Sequence, residues 1–439
     1  MGYDLTQHIF RMTAIKASSD AWVLVVAPRK SVAADLVSEL RLVSKAFGVS
    51  VESPTGQHIL IVPKGKTICV VTAAHLLGAF SRRNPKIPLN GLHLVICENL
   101  EQLNSEYELG ISLLRHATQS YPTRFVGFAN SLNDPADLAA WLDVDPFALH
   151  SFKPSDRDQS LIVSTQTFTI PHSTALFKAM AKPAYAAIRS AAENDSAIIF
   201  VPSRSQARLI GQDLITQCAL DRDSEKGFIP VGVSDDYMAD YLVRIQDHSL
   251  IDFISRGVGF FHDGIPRHDR NLMLELYAEG IVRVLVVPRD SCWTLPVRAA
   301  SVVVMGTQYV YVEDEGSERQ LRDYELIELV RMQSRAVRHS GSGHFHLFCQ
   351  AEAKDTFTRF LNDGLPLESQ LLETHDLDKW YHQQIQDGTI VGKQQAVDML
   401  SFTFLARRVV NNPTYYDATA GSRDQNLSQI VDKLDERLG

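Results

Sequence analysis

Cys97-Glu98-Asn99-Leu100 closes an apolar run, Leu92-His-Leu-Val-Ile-Cys97, and leads into Glu101-Gln-Leu103. The run has the length of a buried strand, and a helical pattern follows it. In open α/β sheets, ligands sit in the crevice outside the carboxyl ends of parallel strands. An enzyme that cleaves nucleotides needs one acid there to hold a metal and another to polarise the attacking water. Here Glu98 stands between Cys97 and Asn99, so one acid is present where two are expected. The pattern is that of a nucleotide cleft with thinned chemistry. An acid in this place also serves to cap the next helix or to line an empty crevice, and Glu98 lacks the helpers of a catalytic base.

Other reactive side chains carry less. Cys97 and His93 share one face of a strand, yet their separation of about 13 Å, at ~3.3 Å per residue, rules out a thiol–imidazole pair. Cys292 with His262 reads the same way, as core thiol beside a histidine. His344 and His346 alternate on one strand face with no third ligand at suitable spacing, so no metal site is expected. Phe80-Ser-Arg-Arg-Asn-Pro-Lys86 is either a phosphate contact or a solvated turn. Arg407 and Arg408 suit the carboxyl end of a helix and need no ligand.

The elements that must position these residues alternate. Trp22–Pro28 reads as a buried strand stopped by its proline, and Ser31 opens a helix with Val32, Leu36, Leu40 and Val43 on one face. A helix is expected before it, over 5–19. Apolar runs at 59–62, 67–72, 92–98 and 124–129 alternate with helical stretches, the signature of βαβ units and a parallel sheet. A polar segment, Lys153–Gln159, suits a linker. A second series then opens, with strands expected at 161–168, 197–202, 258–262, 282–288, 300–306 and 344–349. Within it, Ile198–Gln206 repeats the device of Val23–Ser31: a strand, a proline, a base, and a serine entering a helix. Cys218–Asp235 reads as a surface loop. After about Leu365 the chain turns to helices with short polar joints, including one expected over 393–410 that ends before Asn412-Pro413.

With 439 residues, 45% hydrophobic and 22% charged, the chain is long enough for two or three full cores. A net charge of -9 argues against coating nucleic acid or anionic membrane by bulk electrostatics. Five cysteines without C-x-x-C spacing read as buried thiols of a reducing compartment. The start, MGYDLTQHIF, has no signal-peptide pattern, and no apolar run approaches the ~18 residues of a membrane span. A soluble, intracellular chain is expected.

Met180-Ala-Lys-Pro183, Phe200-Val-Pro-Ser-Arg204, Gly257-Val-Gly-Phe-Phe-His262, Ser291-Cys-Trp293, Thr307-Gln-Tyr309 and the stretch from Lys393 to Tyr416 fall in order along nearly the whole chain. Together they resemble the Ski-two-like DExH-box RNA helicases, above all the C-terminal cassettes of the large two-cassette spliceosomal members in the U-five snRNP. The resemblance implies two tandem RecA-like domains of the P-loop NTPase type, with parallel sheets, and then a partial helical winged-helix domain. Their expected extents are 1–152, truncated at the phosphate loop, then 160–362, and 366–439.

By the same resemblance, the family's phosphate loop falls on Gly2-Tyr-Asp-Leu-Thr6, with Leu5 in place of the lysine, Asp4 beside it, and only Thr6 of unchanged type. A phosphate loop works through backbone amides, a lysine and a hydroxyl on magnesium. The D-E-x-H motif falls on Cys97–Leu100, the S-A-T-type motif on Ala129-Asn130-Ser131, and a cleft glycine on Thr294. Arg335 and Arg338 keep the places of the arginine fingers. Without a bridging nucleotide, closure of the cleft would rest on pairs such as Glu98 with Arg335 or Arg338.

Arg29, Thr72, Arg82, Arg83 and Arg204 fall where the family contacts RNA phosphates, leaving a weak, sequence-blind RNA path. ATP and magnesium are the family's cofactors, and these departures leave none expected here. The expected role is a degenerate, ATPase-inactive helicase cassette, a nuclear protein-interaction scaffold in pre-mRNA splicing. Its partners would be an active helicase cassette and splicing factors, with no membrane. The rivals are an ATP-dependent helicase that unwinds snRNA duplexes and a passive RNA-binding module.

Overall fold

The computed structural model describes residues 22–81, 89–157, 160–189, 195–222, 227–312, 318–338, 341–418 and 421–438. They fall into two compact units, one made of residues up to Lys153 together with those from Asp363 onward, the other Pro154–Asn362. The expected helix over 5–19 lies outside the described residues.

The first unit is built on a five-stranded sheet of β1 (Trp22–Ala27), β2 (Ser50–Glu52), β3 (Thr67–Thr72), β4 (Leu92–Cys97) and β5 (Arg124–Gly127). Their order is β2-β3-β1-β4-β5 and every pairing is parallel. β1 is buried along its whole length, which its unbroken Trp-Val-Leu-Val-Val-Ala composition permits in a sheet covered on both faces. Ala33, Leu36, Val37 and Leu40 of helix Lys30–Ser44 lie in one core with Val23, Val25, Ile68, Leu94 and Ile96. Because the chain fills one side of β1 before crossing to β4 on the other, the order reverses between β1 and β4, and the crevice opens at their carboxyl ends.

The expected strand at 59–62 is not formed. Ile59 and Leu60 end a 3-10 turn, Gly56–Leu60, and are buried as an apolar plug, while Pro63 lies just beyond. The edge position is taken by β2, whose single buried residue, Val51, gives only a weak periodic signal.

The second unit carries β6 (Leu161–Phe168), β7 (Ala197–Val201), β8 (Val258–Phe260), β9 (Val284–Pro288), β10 (Ser301–Met305), a hairpin of β11 (Gln308–Tyr311) and β12 (Gln320–Asp323), and β13 (Gly343–Gln350). The main sheet runs β6-β13-β10-β7-β9-β8, again parallel throughout. Cys218–Asp235 is less of a surface loop than its composition suggests. Cys218 lies in helix Arg204–Arg222, both it and Phe228 are buried, and its thiol donates to Gly227 O at 3.3 Å.

The C-terminal helices belong to the first unit. Gly364, at φ +99°, lets the returning chain lie against Leu132, since a Cβ there would meet the Leu132 carbonyl carbon at 2.8 Å. Leu365 N–H then donates to Ser131 O at 2.8 Å and Asn133 N–H to Leu365 O at 3.0 Å. Instead of one helix over 393–410 there are two, Lys393–Leu400 and Leu405–Asn411. The break has a physical cause: the Leu405 N–H donates to the buried carboxylate of Glu108 at 2.7 Å, and Thr403 Oγ1 turns back to Leu400 O at 2.6 Å.

Arg408 completes this joint. Its guanidinium, nearly buried, meets Glu368 at 2.5 Å, Asp137 at 2.5 Å and Asp134 at 3.1 Å. Burial works against the Glu368 carboxylate, yet donors from Arg408, Asn412 and Tyr416 hold its pKa below the ordinary value. Arg408→Ala strands these acids, and removal of one partner from a buried pair costs about 3–5 kcal/mol. Urea unfolding should show a loss of that order, with faster amide exchange over 423–438. A loss under ~1 kcal/mol, the scale of an exposed pair, would show that the cluster is not what holds the C-terminal helices.

Candidate functional site: the strand ends of the two sheets

At the end of β4 the backbone is tied to β1: Glu98 N–H donates to Val26 O at 2.9 Å, and the buried Tyr107 hydroxyl lies 2.8 Å from Val26 O and 2.9 Å from Glu98 O. Cys97 is fully buried, and burial followed by the nearby Glu98 charge pushes its thiol well above the ordinary range. It is a core side chain, unfit to bind a hard cation. Asn99 takes a left-handed conformation, φ +51°, which Asn tolerates. Leu100 points inward over β5, so close that a Cβ on Gly127 would meet its Cδ1 at 2.5 Å. The residues of this tetrad therefore pack rather than ligate, with the exception of Glu98.

Glu98 has one carboxylate oxygen buried without a hydrogen-bond partner among the described residues. Burial first, and the Glu101 charge second, push its carboxyl up to about 7. Sequence reasoning passed over Glu101, which is more engaged. It accepts from the Asn130 N–H at 3.0 Å, the Asn130 side chain at 2.8 Å and the Asn99 side chain at 3.1 Å. Its signal was available: an acid three residues beyond Glu98, opposite an asparagine that follows the next strand.

The second unit gathers a different set at its strand ends. Arg204 follows β7, His262 follows β8 and Asp290 follows β9. Arg204 pairs with Asp290 at 3.5 Å, and burial with the Arg204 charge lowers the His262 pKa. Asp290 was not singled out in the sequence, although it follows an apolar run and a proline just as Arg204 does. Arg289 is held by both oxygens of Glu328, at 2.7 and 2.9 Å, and stacks 3.6 Å over Tyr309.

The other sequence-predicted residues have definite places. Arg338 pairs with Asp195 at 3.2 Å, so an expected partner of Glu98 is engaged within its own unit. Arg335 O accepts from Ala299 N–H at 2.9 Å. Arg29 is exposed and donates to Gln102 Oε1 at 2.9 Å. Thr72 is buried and caps the following helix by accepting from His75 N–H at 3.3 Å, a structural task. Gly2, Asp4, Leu5, Thr6, Arg82 and Arg83 lie outside the described residues. His344 and His346 stack with ring centroids 6.2 Å apart, and His346 Nδ1 lies 2.6 Å from Ser164 Oγ. Among the described residues, no group of three or more His, Cys, Asp or Glu is placed to hold a metal ion, and no helix is long and apolar enough to cross a membrane.

Residues 368–438 match a family model described as a winged helix-turn-helix domain. The chain is 31% identical over 397 residues to the U5 small nuclear ribonucleoprotein 200 kDa helicase of Drosophila melanogaster, covering 88% of this chain and 18% of that protein. The human protein of the same name is 32% identical over 370 residues, 84% of this chain and 16% of its own. The RQC trigger complex helicase SLH1 of Saccharomyces cerevisiae is 28% identical over 444 residues, 97% and 22% respectively. Among solved structures, the Escherichia coli DEAH/RHA helicase HrpB aligns with a TM-score of 0.53 at 14% identity, over 97% of this chain and 56% of that one, a likeness of fold.

Over most of its length the chain is similar to RNA helicases of the DExH-box kind. It spans about a fifth of the length of the curated relatives it matches. Its two parallel-sheet units are RecA-like domains, and its C-terminal helices form the winged helix. The end of β4 presents a buried thiol, Cys97, beside two carboxylates, Glu98 and the hydrogen-bonded Glu101. The described residues there do not fit a magnesium nucleotide.

Glu98 makes a pH signature. Its folded pKa, about 7, lies above the ordinary 4.5, so the folded chain holds an extra proton between these values and stability falls as pH rises through that window. Glu98→Gln, which mimics the protonated form, should match the wild type below pH 4.5 and exceed it above pH 7. Urea midpoints of both proteins across this range check it. Equal midpoints at every pH, or a gap that widens toward acid, would contradict it.

Proposed function

We propose that this chain is a degenerate DExH-box helicase cassette that acts as a nuclear docking and regulatory module of pre-mRNA splicing, without turning over ATP. The observation that carries the reading is Cys97. A fully buried, hard-to-ionise thiol stands where the family needs a carboxylate for magnesium, and Leu100 packs down on Gly127 of β5. The relatives named for the U5 small nuclear ribonucleoprotein supply the setting. On this reading the partners are an active helicase cassette and splicing proteins. A passive RNA contact is the second reading, supported by the exposed Arg29 and Arg204 at strand ends. RNA affinity that falls steeply with salt would favour it.

The test is RNA-stimulated ATP hydrolysis by the purified chain. Loss of an electrostatic anchor costs on the order of 3 kcal/mol of transition-state stabilisation, and groups that act as a unit do not add. Wild type should therefore hydrolyse ATP no faster than Glu98→Gln, and Cys97→Asp alone should not raise the rate. Turnover clearly above the Glu98→Gln control, or a helicase-like rate in Cys97→Asp, would overturn the reading.

A further inference from the structure

The first turn of helix Ser105–Thr118 faces two ways. Ser105 Oγ donates to the Asp376 carboxylate, and Glu108 accepts from Ser369 Oγ and from the Leu405 N–H, both at 2.7 Å. All three partners belong to the C-terminal helices. Between Ser105 and Glu108 in sequence, Tyr107 sets its hydroxyl 2.8 Å from Val26 O and 2.9 Å from Glu98 O, at the ends of β1 and β4. Asn104 fixes the turn: its side chain accepts from the Tyr107 N–H at 2.9 Å, and its carbonyl accepts from the Glu108 N–H at 2.9 Å. Ser105, Tyr107 and Glu108 therefore move as one body, and a tilt that disturbs one set of bonds disturbs the other.

The seam between the C-terminal helices and the rest of the first unit is rich in polar groups. Besides the Ser105 and Glu108 bonds, Trp141 Nε1 donates to Phe402 O at 2.9 Å, and Arg408 reaches Asp134 and Asp137. Groups of this kind are satisfied in two states. With the C-terminal helices seated they bond to one another; with those helices lifted, the Glu108 carboxylate, the Arg408 guanidinium and the Leu405 N–H are each taken up by water. A wholly apolar seam has no such second state, because opening it only exposes hydrocarbon. Here Leu109 also lies in the apolar core of the C-terminal helices, which makes the seated arrangement the favoured one.

We propose that this turn is a relay, which couples the seating of the winged helix on the first domain to the closure of the β1 and β4 strand ends. Drawing the winged helix away loosens the strand ends, and loosening the strand ends weakens the seat of the winged helix. A coupling between two sites acts equally in both directions. The inference deepens the regulatory role proposed above and rests on it for its biological sense, but the coupling itself does not depend on whether ATP is turned over.

Amide hydrogen exchange of the full chain, read by mass spectrometry over 97–103 and 401–411, tests it with two variants that each touch one side. Ser369→Ala removes a donor from Glu108 among the C-terminal helices and leaves the strand ends alone. Tyr107→Phe removes the hydroxyl at the strand ends and leaves Glu108 and its partners in place. Each should speed exchange in both segments, on the far side by about fivefold or more, the lower end of a coupling between sites. Residues 344–350 of the second unit should exchange as in the wild type. Effects confined to the mutated side, or spread equally to 344–350 as a general loss of stability, would overturn the relay. If Tyr107→Phe fails to fold, Ser369→Ala decides alone, by its effect on 97–103. Neither result bears on ATP turnover, so failure here is distinct from failure of the inactive-cassette reading.

Discussion

Helix Ser105–Thr118 is the part on which the first unit turns, through two adjacent side chains that face different tasks. Glu108, fully buried, accepts from the Leu405 N–H and from Ser369 Oγ, both at 2.7 Å. Tyr107, also buried, places its hydroxyl against the carbonyls of Val26 and Glu98. One helix therefore ties the winged helix to the strand end where the family's chemistry would lie. A carboxyl in such a place is costly: burial raises the Glu108 pKa to about 7, and the donors from Leu405 and Ser369 only partly offset this. Such a buried polar joint specifies one arrangement, since any slip of the C-terminal helices leaves the carboxylate unpaired. Ser105 adds a short hydrogen bond to Asp376, and Trp141 Nε1 donates to Phe402 O at 2.9 Å. The winged helix is folded onto the first domain by specific polar contacts as well as by its shared apolar core with Leu109.

At the strand end itself, packing has taken the space that chemistry would need. Cys97 and Leu100 are core residues, and Glu101 is occupied by Asn99 and Asn130. This network joins the end of β4 to the chain after β5 by protein hydrogen bonds. A site so closed on itself has little left to offer a triphosphate, and the lone Glu98, its carboxyl pushed up to about 7 by burial, offers less still.

Much of this was legible in the sequence, because the strands are unbroken apolar runs stopped by Pro28, Pro202 and Pro288, and such runs permit little else. β1, β3, β4 and β7 follow their runs closely. What was not legible depends on contacts distant in sequence. The 393–410 stretch has a continuous helical pattern, and only Glu108, almost 300 positions away, draws the Leu405 N–H out of it. Arg408 looked like a charge at a helix end but is the centre of a buried acidic cluster, since nothing local marks Glu368 and Asp137 as its partners. At the candidate site the residue types at 97–100 were informative, whereas the engagement of Glu101 and the pairing of Arg338 with Asp195 required the fold.

The central claim is that the end of β4 is a packed junction and not a nucleotide site. Amide hydrogen exchange of residues 97–103 and 124–131, with and without saturating magnesium and ATP, tests it most directly. The account predicts the same protection in both conditions. Nucleotide-dependent protection across these two segments would contradict it.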